Sequence, residues 1–535
     1  MTKSTKTILQ VNQLHVRYQQ KRQSFYVLQN LTFDIKEGEI VTLLGESGSG
    51  KSTLAKALTG LLPPSAYIDN GTLQIGSSLN IDLRRSDMGW NNIRGKEIGM
   101  IFQDAQQALN PVLTIREHFR ELLLYHQLAS PDEVITVSTN LLNKLNFTHV
   151  PDILNSYPHE LSGGMCQRIC IALTLCLKPK VMIADEPTSA LDTVNQKEVL
   201  HLLKKMQEEW GLSVLFITHD IAVANAISHQ VIVLNKGVIV EKGDSKMVLN
   251  HPQSLYTRQL LSARSLIANH HGKFERLKKR DPILEIKEVD KSFDQKTPVL
   301  SNVNLILHRH EILGILGQSG CGKSTLAKCI TGLEKTNQGQ ILYNGADICR
   351  LKGKAKREVC KHIQLVFQDA RASLNPRRTA LQLVQEPLRY FHIGKRKERE
   401  DLATFYLNQV GISDETQNRR PPQLSTGQCQ RVAIARALIL KPDILICDEA
   451  VSALDMTVQS QILSLLQRLH SQFGFSILMI SHDIQVLRYF CHTIAVLQDG
   501  QFSKVSPANS LAVESEQSST QRLLSSAYDL EESLK

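Results

Sequence analysis

The stretch GESGSGKST, Gly45 to Thr53, returns in nearly the same form as GQSGCGKST, Gly317 to Thr325. Both fit G-x-x-x-x-G-K-[ST], in which glycines let successive backbone N–H groups turn toward a phosphate, a lysine adds positive charge and a hydroxyl reaches Mg2+. The flanks are those the motif needs. EIVTLLG (Glu39 to Gly45) and EILGILG (Glu311 to Gly317) read as short buried strands, and STLAKALTGLL and STLAKCITGLE as the helices after the loops. The first loop offers Gly45, Ser47, Gly48, Gly50, Lys51, Ser52 and Thr53 to a nucleotide. The second offers Gly317, Ser319, Gly320, Gly322, Lys323, Ser324 and Thr325, with Ser52 and Ser324 as the Mg2+ hydroxyls.

A chain of 535 residues exceeds one ordinary core, and the repeat divides it in two. The expected organisation is a first domain at 1–265, a linker at 266–282, a second domain at 283–505 and a tail at 506–535. No apolar run is long enough to cross a bilayer, and MTKSTKTILQ lacks a secretory apolar core. The chain is therefore expected to stay in the cytosol unless a partner holds it to a membrane. The net charge of +10 is compatible with nucleic acid, an acidic lipid surface or bound nucleotide. Much of the excess sits in RLKKR (Arg276 to Arg280), KGKAKR (Lys352 to Arg357) and KRKER (Lys395 to Arg399). No aromatic interleaves with these runs, so solvated surface is expected and nucleic acid is not. Cys166, Cys170 and Cys176 share one apolar helical stretch, and no C-x-x-C pair occurs, which favours packed thiols over metal ligands. His270, His271, His308 and His310 have no carboxylate or cysteine at ligand spacing and read as surface residues.

Within the first half, Leu9 to Phe33 alternate apolar and polar positions as an antiparallel strand pair does. Tyr18 closes the run LHVRY, where its ring can stack on adenine or pack into the core. IGMIFQDAQQALNP (Ile98 to Pro111) reads as a strand ending in Gln103, whose neutral amide can stand near Mg2+ and an attacking water. LSGGMCQR (Leu161 to Arg168) opens a helix with Ser162 as N-cap, and Gly163 and Gly164 permit close backbone approach to a phosphate. In VMIADEPTSALD a buried strand delivers Asp185 and Glu186 at its C-terminal end, where ligands bind in parallel sheets. Adjacent residues alternate across a strand, so different roles are expected: Asp185 for Mg2+, Glu186 for polarising the water nucleophile. SVLFITHD (Ser213 to Asp220) reads as a further buried strand ending in His219, placed to contact a terminal phosphate.

The second half repeats the order. Phe293 takes the place of Tyr18, Gln368 that of Gln103, and Ser425, Gly427 and Gln428 lie in LSTGQ (Leu424 to Gln428). Asp448 and Glu449 come next in ICDEAVSALD, and His482 in ISHD.

This succession resembles the ATP-binding cassette of ABC transporters, over nearly the whole of the first half and again in the second. FQDAQQALNP, LSGGM and HPQSLYTRQLL (His251 to Leu261) are similar to the peptide and nickel importer branch, where methionine commonly replaces the last glutamine of LSGGQ. In the second half, GQSGCGKSTLAK, RPPQLS and Ala450–Val451 in place of Pro187–Thr188 look more like the second ATPase of nickel importers. Thr426 departs from the pattern by replacing the first glycine of LSGGQ, and its side chain is expected to crowd the phosphate and slow that site.

The resemblance implies an α/β fold of two tandem P-loop ABC ATPase domains, each a RecA-like core with an antiparallel β subdomain and a helical subdomain. It implies ATP and Mg2+ as cofactors and head-to-tail pairing of the halves. One site then joins Lys51, Ser52, Gln103, Asp185, Glu186 and His219 to Ser425, Gly427 and Gln428. The other joins Lys323, Ser324, Gln368, Asp448, Glu449 and His482 to Ser162, Gly163 and Gly164. It implies ATP hydrolysis energising import of nickel or a metal chelate, or of di- or oligopeptides. The partners would be two integral-membrane permease subunits docking near Gln103 and Gln368, and an extracytoplasmic substrate-binding protein. The chain itself would be peripheral on the cytoplasmic face of the inner membrane. Many relatives of the first half carry a cysteine-bearing extension, but no cysteine lies between Leu177 and Gly320, so no iron–sulfur cluster is expected. The rival reading is a soluble twin-cassette ATPase acting on ribosomes or nucleic acid. The short basic linker stretch SARSLIANHHGKFERLKKRDP (Ser262 to Pro282) and the HPQSLYTRQLL stretch argue against it. TQRLLSSA (Thr520 to Ala527) faintly echoes TRQLLSA of the first half.

Overall fold

The computed structural model describes residues 6–20, 23–77, 79–85, 89–189, 191–269, 281–293, 298–452 and 454–510. Between Ser262 and Ala263 the chain divides into two compact units.

In the first unit Thr7–Gln20 and Gln23–Lys36 pair antiparallel, and Ala66–Ile75 and Leu79–Asp82 complete a four-stranded sheet. The apolar positions of the first strand are Leu9 and Val11, then Leu14 and Val16, all fully buried. The skipped beat is a bulge at Gln13, whose φ of 47° and register shift between Val11 and Leu14 return the later residues to the core face. The second unit repeats the device at Glu288, with φ 49° and a shift between Ile286 and Val289.

The larger sheet runs Val238–Asp244, Gln230–Asn235, Ile40–Leu44, Ser213–Thr218, Val181–Asp185, Ile98–Ile101. All are parallel except the first, which pairs antiparallel at the edge. Ile40–Leu44, Ser213–Thr218 and Val181–Asp185 are buried at every position, as parallel strands covered on both faces must be. Because these three neighbours run the same way, the residues after them (Gly45, His219 and Glu186) emerge on one edge of the sheet.

A helical region holds Ile115–Tyr125, Val134–Lys144 and Val150–Asn155 beside Gly163–Cys176. Ile115, Phe119 and Leu123 recur one helical turn apart and are buried, and Thr114 with Glu117 closes the helix start in a capping box. Cys166 is buried and Cys170 and Cys176 half-buried in the last of these helices, where burial pushes the Cys170 and Cys176 thiols up to about 12.

The second unit has the same plan. Pro298–His308, Pro282–Ser292, Gln338–Tyr343 and Ala346–Asp347 form the antiparallel sheet. Ile363–Val366, Ile444–Asp448, Ser476–Ser481, Ile312–Leu316, Thr493–Gln498 and Gln501–Pro507 form the larger one. The basic run at Lys352 to Arg357 lies at the start of the helix Gly353–His362 and is exposed. His308 is half-buried and His310 exposed. The helix Leu255–Asn269 extends into the stretch expected to be linker. His270, His271, RLKKR and TQRLLSSA lie outside the described residues.

Candidate functional site

Gly50 caps the helix Lys51–Leu58 at φ 107°, and a Cβ there would come within 2.6 Å of Leu28 Cδ2, so conformation and space both require glycine. The turn delivers Lys51 to the loop itself: its Nζ donates to the carbonyls of Gly45 at 2.8 Å and Glu46 at 2.9 Å. It also lies 3.7 Å from Glu186 Oε1. Ser52 Oγ donates to Asp185 Oδ1 at 3.2 Å. Gln103 Nε2 donates to Glu186 Oε2 at 3.1 Å, and His219 Nδ1 stands 3.2 Å from that same oxygen. Residues from separate stretches of the unit thus converge on two carboxylates.

The second unit reproduces the cluster. Lys323 Nζ donates to Gly317 O at 2.8 Å and Gln318 O at 2.6 Å and lies 3.7 Å from Glu449. Ser324 donates to Asp448 at 3.0 Å, Gln368 donates to Glu449 at 2.9 Å, and His482 Nδ1 is 3.5 Å from Glu449 Oε1.

One expectation about Glu186 needs correcting. The strand ends at Asp185, so strand alternation does not separate the two carboxylates. Glu186 instead sits at φ 47°, and Glu449 at φ 46°, in the left-handed region that costs a non-glycine residue about 1–2 kcal/mol. The Glu186 N–H still donates to Ile217 O at 2.9 Å, so the ladder reaches one residue further while the backbone turns the side chain toward Gln103 and His219. Nothing in ADE signals this turn, which both units adopt although Pro187 comes next in one and Ala450 in the other.

The same packing drives neighbouring carboxylates apart in acidity. Burial raises Asp185 and Asp448 above the ordinary carboxylate range, only partly opposed by the Ser52 and Ser324 hydroxyls. Burial also pushes Glu186 and Glu449 up, but His219 and Lys51, or His482 and Lys323, outweigh it and hold both below that range. The histidines show the reverse balance: burial lowers them, the facing glutamates prevail, and both end above the usual imidazole value. The paired hydroxyl and carboxylate oxygens of Ser52 and Asp185 are donors of the kind Mg2+ takes beside phosphate and water. The Gln103 amide, whose nitrogen meets Glu186, brings a further oxygen on the same side chain. Ser324, Asp448 and Gln368 repeat the arrangement.

The signature residues open a different helix in each unit and take their described hydrogen bonds within it. Ser162 Oγ accepts the Met165 N–H at 3.3 Å. Ser425 Oγ accepts the Gln428 N–H at 3.2 Å, and Gln428 Oε1 accepts the Ser425 N–H at 3.0 Å, a reciprocal box that a methionine at 165 cannot complete. The two glycines of LSGGM have different reasons. A Cβ on Gly164 would lie 2.7 Å from Asn195 Oδ1, and one on Gly427 2.6 Å from Val458 Cγ1, so the second glycine lets the signature helix pack on Thr193–Trp210 or Met456–Phe473. A Cβ on Gly163 would meet nothing within 4 Å, and Thr426, which stands in that place, is exposed. Thr426 therefore crowds nothing within its own unit.

Tyr18 and Phe293 are not equivalent. Tyr18 is half-buried and stacks on Phe25 with ring centroids 6.1 Å apart. Phe293 is 64% exposed, with the Lys291 ammonium 4.6 Å from its ring centroid.

Two parallel-sheet units, each with a lysine-bearing phosphate loop and a glutamate held by glutamine and histidine, define a pair of P-loop nucleotide hydrolases. The family model described as ABC transporter matches residues 28–189 and 300–452. The chain is 34% identical to the glutathione import ATP-binding protein GsiA of Pectobacterium atrosepticum, over 97% of this chain and 89% of that protein. It is 35% identical to GsiA of Escherichia coli K12 over the same shares. One solved structure, the dimeric post-hydrolysis ATP-binding cassette MJ0796 bound to ADP and Pi, is similar at 33% identity and TM-score 0.40. That match covers 42% of this chain and 98% of that one. The chain belongs to the ABC transporter family, as an ATP-hydrolysing member with two cassettes in one polypeptide.

Proposed function

We propose that the chain is the energising subunit of an importer for small peptides, with two hydrolysing sites. The observation that carries this is a likeness to glutathione import ATP-binding proteins over 97% of the chain, joined to a full set of catalytic side chains in both units. Lys51 and the helix start at Gly50 attract the phosphates, and the Ser52–Asp185 pair would hold Mg2+, which would neutralise phosphate charge when bound. Glu186, ionised at neutral pH, accepts the proton of the attacking water while Gln103 and His219 fix its carboxylate. Glu449, Gln368 and His482 do the same in the second unit.

If the halves pair head to tail as the family resemblance implies, Ser425, Gly427 and Gln428 would complete the first site, and Ser162, Gly163 and Gly164 the second. Nucleotide would then act as an adhesive between the halves, whose fusion keeps the effective concentration of each for the other in about the millimolar range. Exposed Phe102 and Phe367, each beside its glutamine, are the places where permease subunits would feel that closure. Among the described residues no helix is long and apolar enough to cross a membrane. The proposed partners are two permease subunits and an extracytoplasmic receptor, with the chain peripheral on the cytoplasmic face.

Reconstitution with those permeases and the loaded receptor in liposomes tests the reading. Glutathione or a di- or oligopeptide should stimulate ATP turnover and enter the lumen. Stimulation by nickel or its chelate alone would reassign the cargo, in line with the nickel-importer features of the second half. Co-sedimentation with ribosomes, without membrane association, would overturn the importer reading.

Thr426→Gly isolates the expected effect of the departed signature. Relief of crowding at the first site should raise ATP turnover about two- to fivefold, equivalent to ~0.5–1 kcal/mol of barrier. An unchanged rate would show that the threonine clears the nucleotide.

A further inference from the structure

The stretch HPQSLYTRQLL supplies no group to the hydrolytic chemistry, yet it reaches the phosphate loop. Its helix, Leu255–Asn269, turns Thr257 and Leu260 inward, both buried, and leaves Tyr256 half-buried beside them. The Tyr256 hydroxyl accepts the backbone N–H of Glu46, across 210 residues of sequence, at 3.4 Å. Glu46 is the residue on which the loop is folded: its carbonyl accepts both Lys51 Nζ at 2.9 Å and the Ser49 N–H at 3.1 Å. One residue is therefore gripped from inside the loop at its carbonyl and from outside the nucleotide core at its N–H.

The helix start is itself fixed. Glu241, on the antiparallel edge strand Val238–Asp244, accepts the N–H of Gln253 at 2.8 Å and of Ser254 at 3.1 Å. Arg258 then folds back, donating from Nε to Pro252 O at 3.0 Å and from its terminal nitrogen to Gln253 O at 3.2 Å. The register of the second unit puts Lys504 opposite Val496 where Glu241 stands opposite Val233, so the carboxylate anchor belongs to the first unit.

We propose that Glu241 and the helix Leu255–Asn269 form a clasp on the first phosphate loop, with Tyr256 a positioning residue that sets nucleotide affinity at the first site alone. The inference rests on the reading that ATP is held by Lys51 and its loop. Losing one such hydrogen bond should weaken binding about three- to tenfold.

The test uses the full chain in a Lys323→Ala background, which leaves the first site as the principal nucleotide site, and monitors Mg-ATP binding by equilibrium dialysis. Tyr256→Phe and, separately, Glu241→Gln should each weaken first-site binding about three- to tenfold with a cooperative thermal transition retained. In the otherwise unaltered chain, Tyr256→Phe should raise KM for ATP and leave kcat within about twofold. In a Lys51→Ala background, it should leave the remaining binding unchanged. Unaltered first-site affinity in Tyr256→Phe, or equal weakening in the Lys51→Ala background, overturns the clasp. Absence of any Mg-ATP binding in the Lys323→Ala parent would instead overturn the reading of the first site on which the clasp depends.

Discussion

Glu186→Gln and Glu449→Gln are each expected to lower ATP turnover by at least about a hundredfold while nucleotide binding persists, because a positioned general base contributes about 10²–10⁴ in rate. Glutamine keeps the shape of the side chain, and its carbonyl oxygen can still accept the Gln103 or Gln368 amide that the carboxylate accepts now at 3.1 or 2.9 Å. The loss is the capacity to take a proton. Both glutamates sit in the same strained backbone conformation and face the same glutamine, histidine and lysine, so the two losses should be of the same order. Phosphate release at saturating ATP, set beside equilibrium ATP binding, separates turnover from affinity. Near-normal turnover in one variant would identify that site as regulatory and leave hydrolysis to its twin.

The parts of this site legible in the sequence are those whose spacing is itself the geometry. In GESGSGKST the turn, the lysine and the hydroxyl belong to one loop and one helix start, so Lys51 and Ser52 could be placed without knowing anything else. Asp185, Glu186 and His219 were legible for a related reason: apolar runs end just before them, and parallel strands deliver the residues at their C-terminal ends to one edge. Long-range pairings left no such trace. The 3.2 Å approach of His219 to Glu186 depends on two strands lying side by side. The need for glycine at 164 depends on Asn195, a residue of another helix, and the grip of Tyr256 on Glu46 joins the two ends of a unit. The bulge at Gln13 is intermediate. Its skipped beat between Val11 and Leu14 is visible in the letters, but only the observed register shows that the strand continues through it. Thr426 is exposed on its own unit, so its expected crowding of a phosphate is a matter for Thr426→Gly and not for packing within the unit.

The histidines give the sharpest separation between two ways of acting. If His219 worked only by touching the terminal phosphate, His219→Ala would lower the rate by one factor at every pH where the imidazole stays charged, and the acid limb would not move. The geometry adds a second effect. Burial alone would raise Glu186, and the His219 contact leads the interactions that reverse the sign, with Lys51 behind it. In the native site the carboxylate is therefore the base form down to below the ordinary carboxylate range, and turnover should hold as pH falls toward that range. Removing His219 leaves burial opposed by Lys51, so the carboxyl climbs and the acid limb of kcat moves to higher pH. His219→Ala and His482→Ala should each cut kcat about a hundredfold near neutrality, and proportionally more as pH falls toward the carboxylate range. A kcat profile recorded for His219→Ala and for His482→Ala, each set beside the unaltered chain, shows whether the acid limb moves. An acid limb that stays in place while the rate drops uniformly would confine the histidine to the phosphate and remove its part in holding the base ionised.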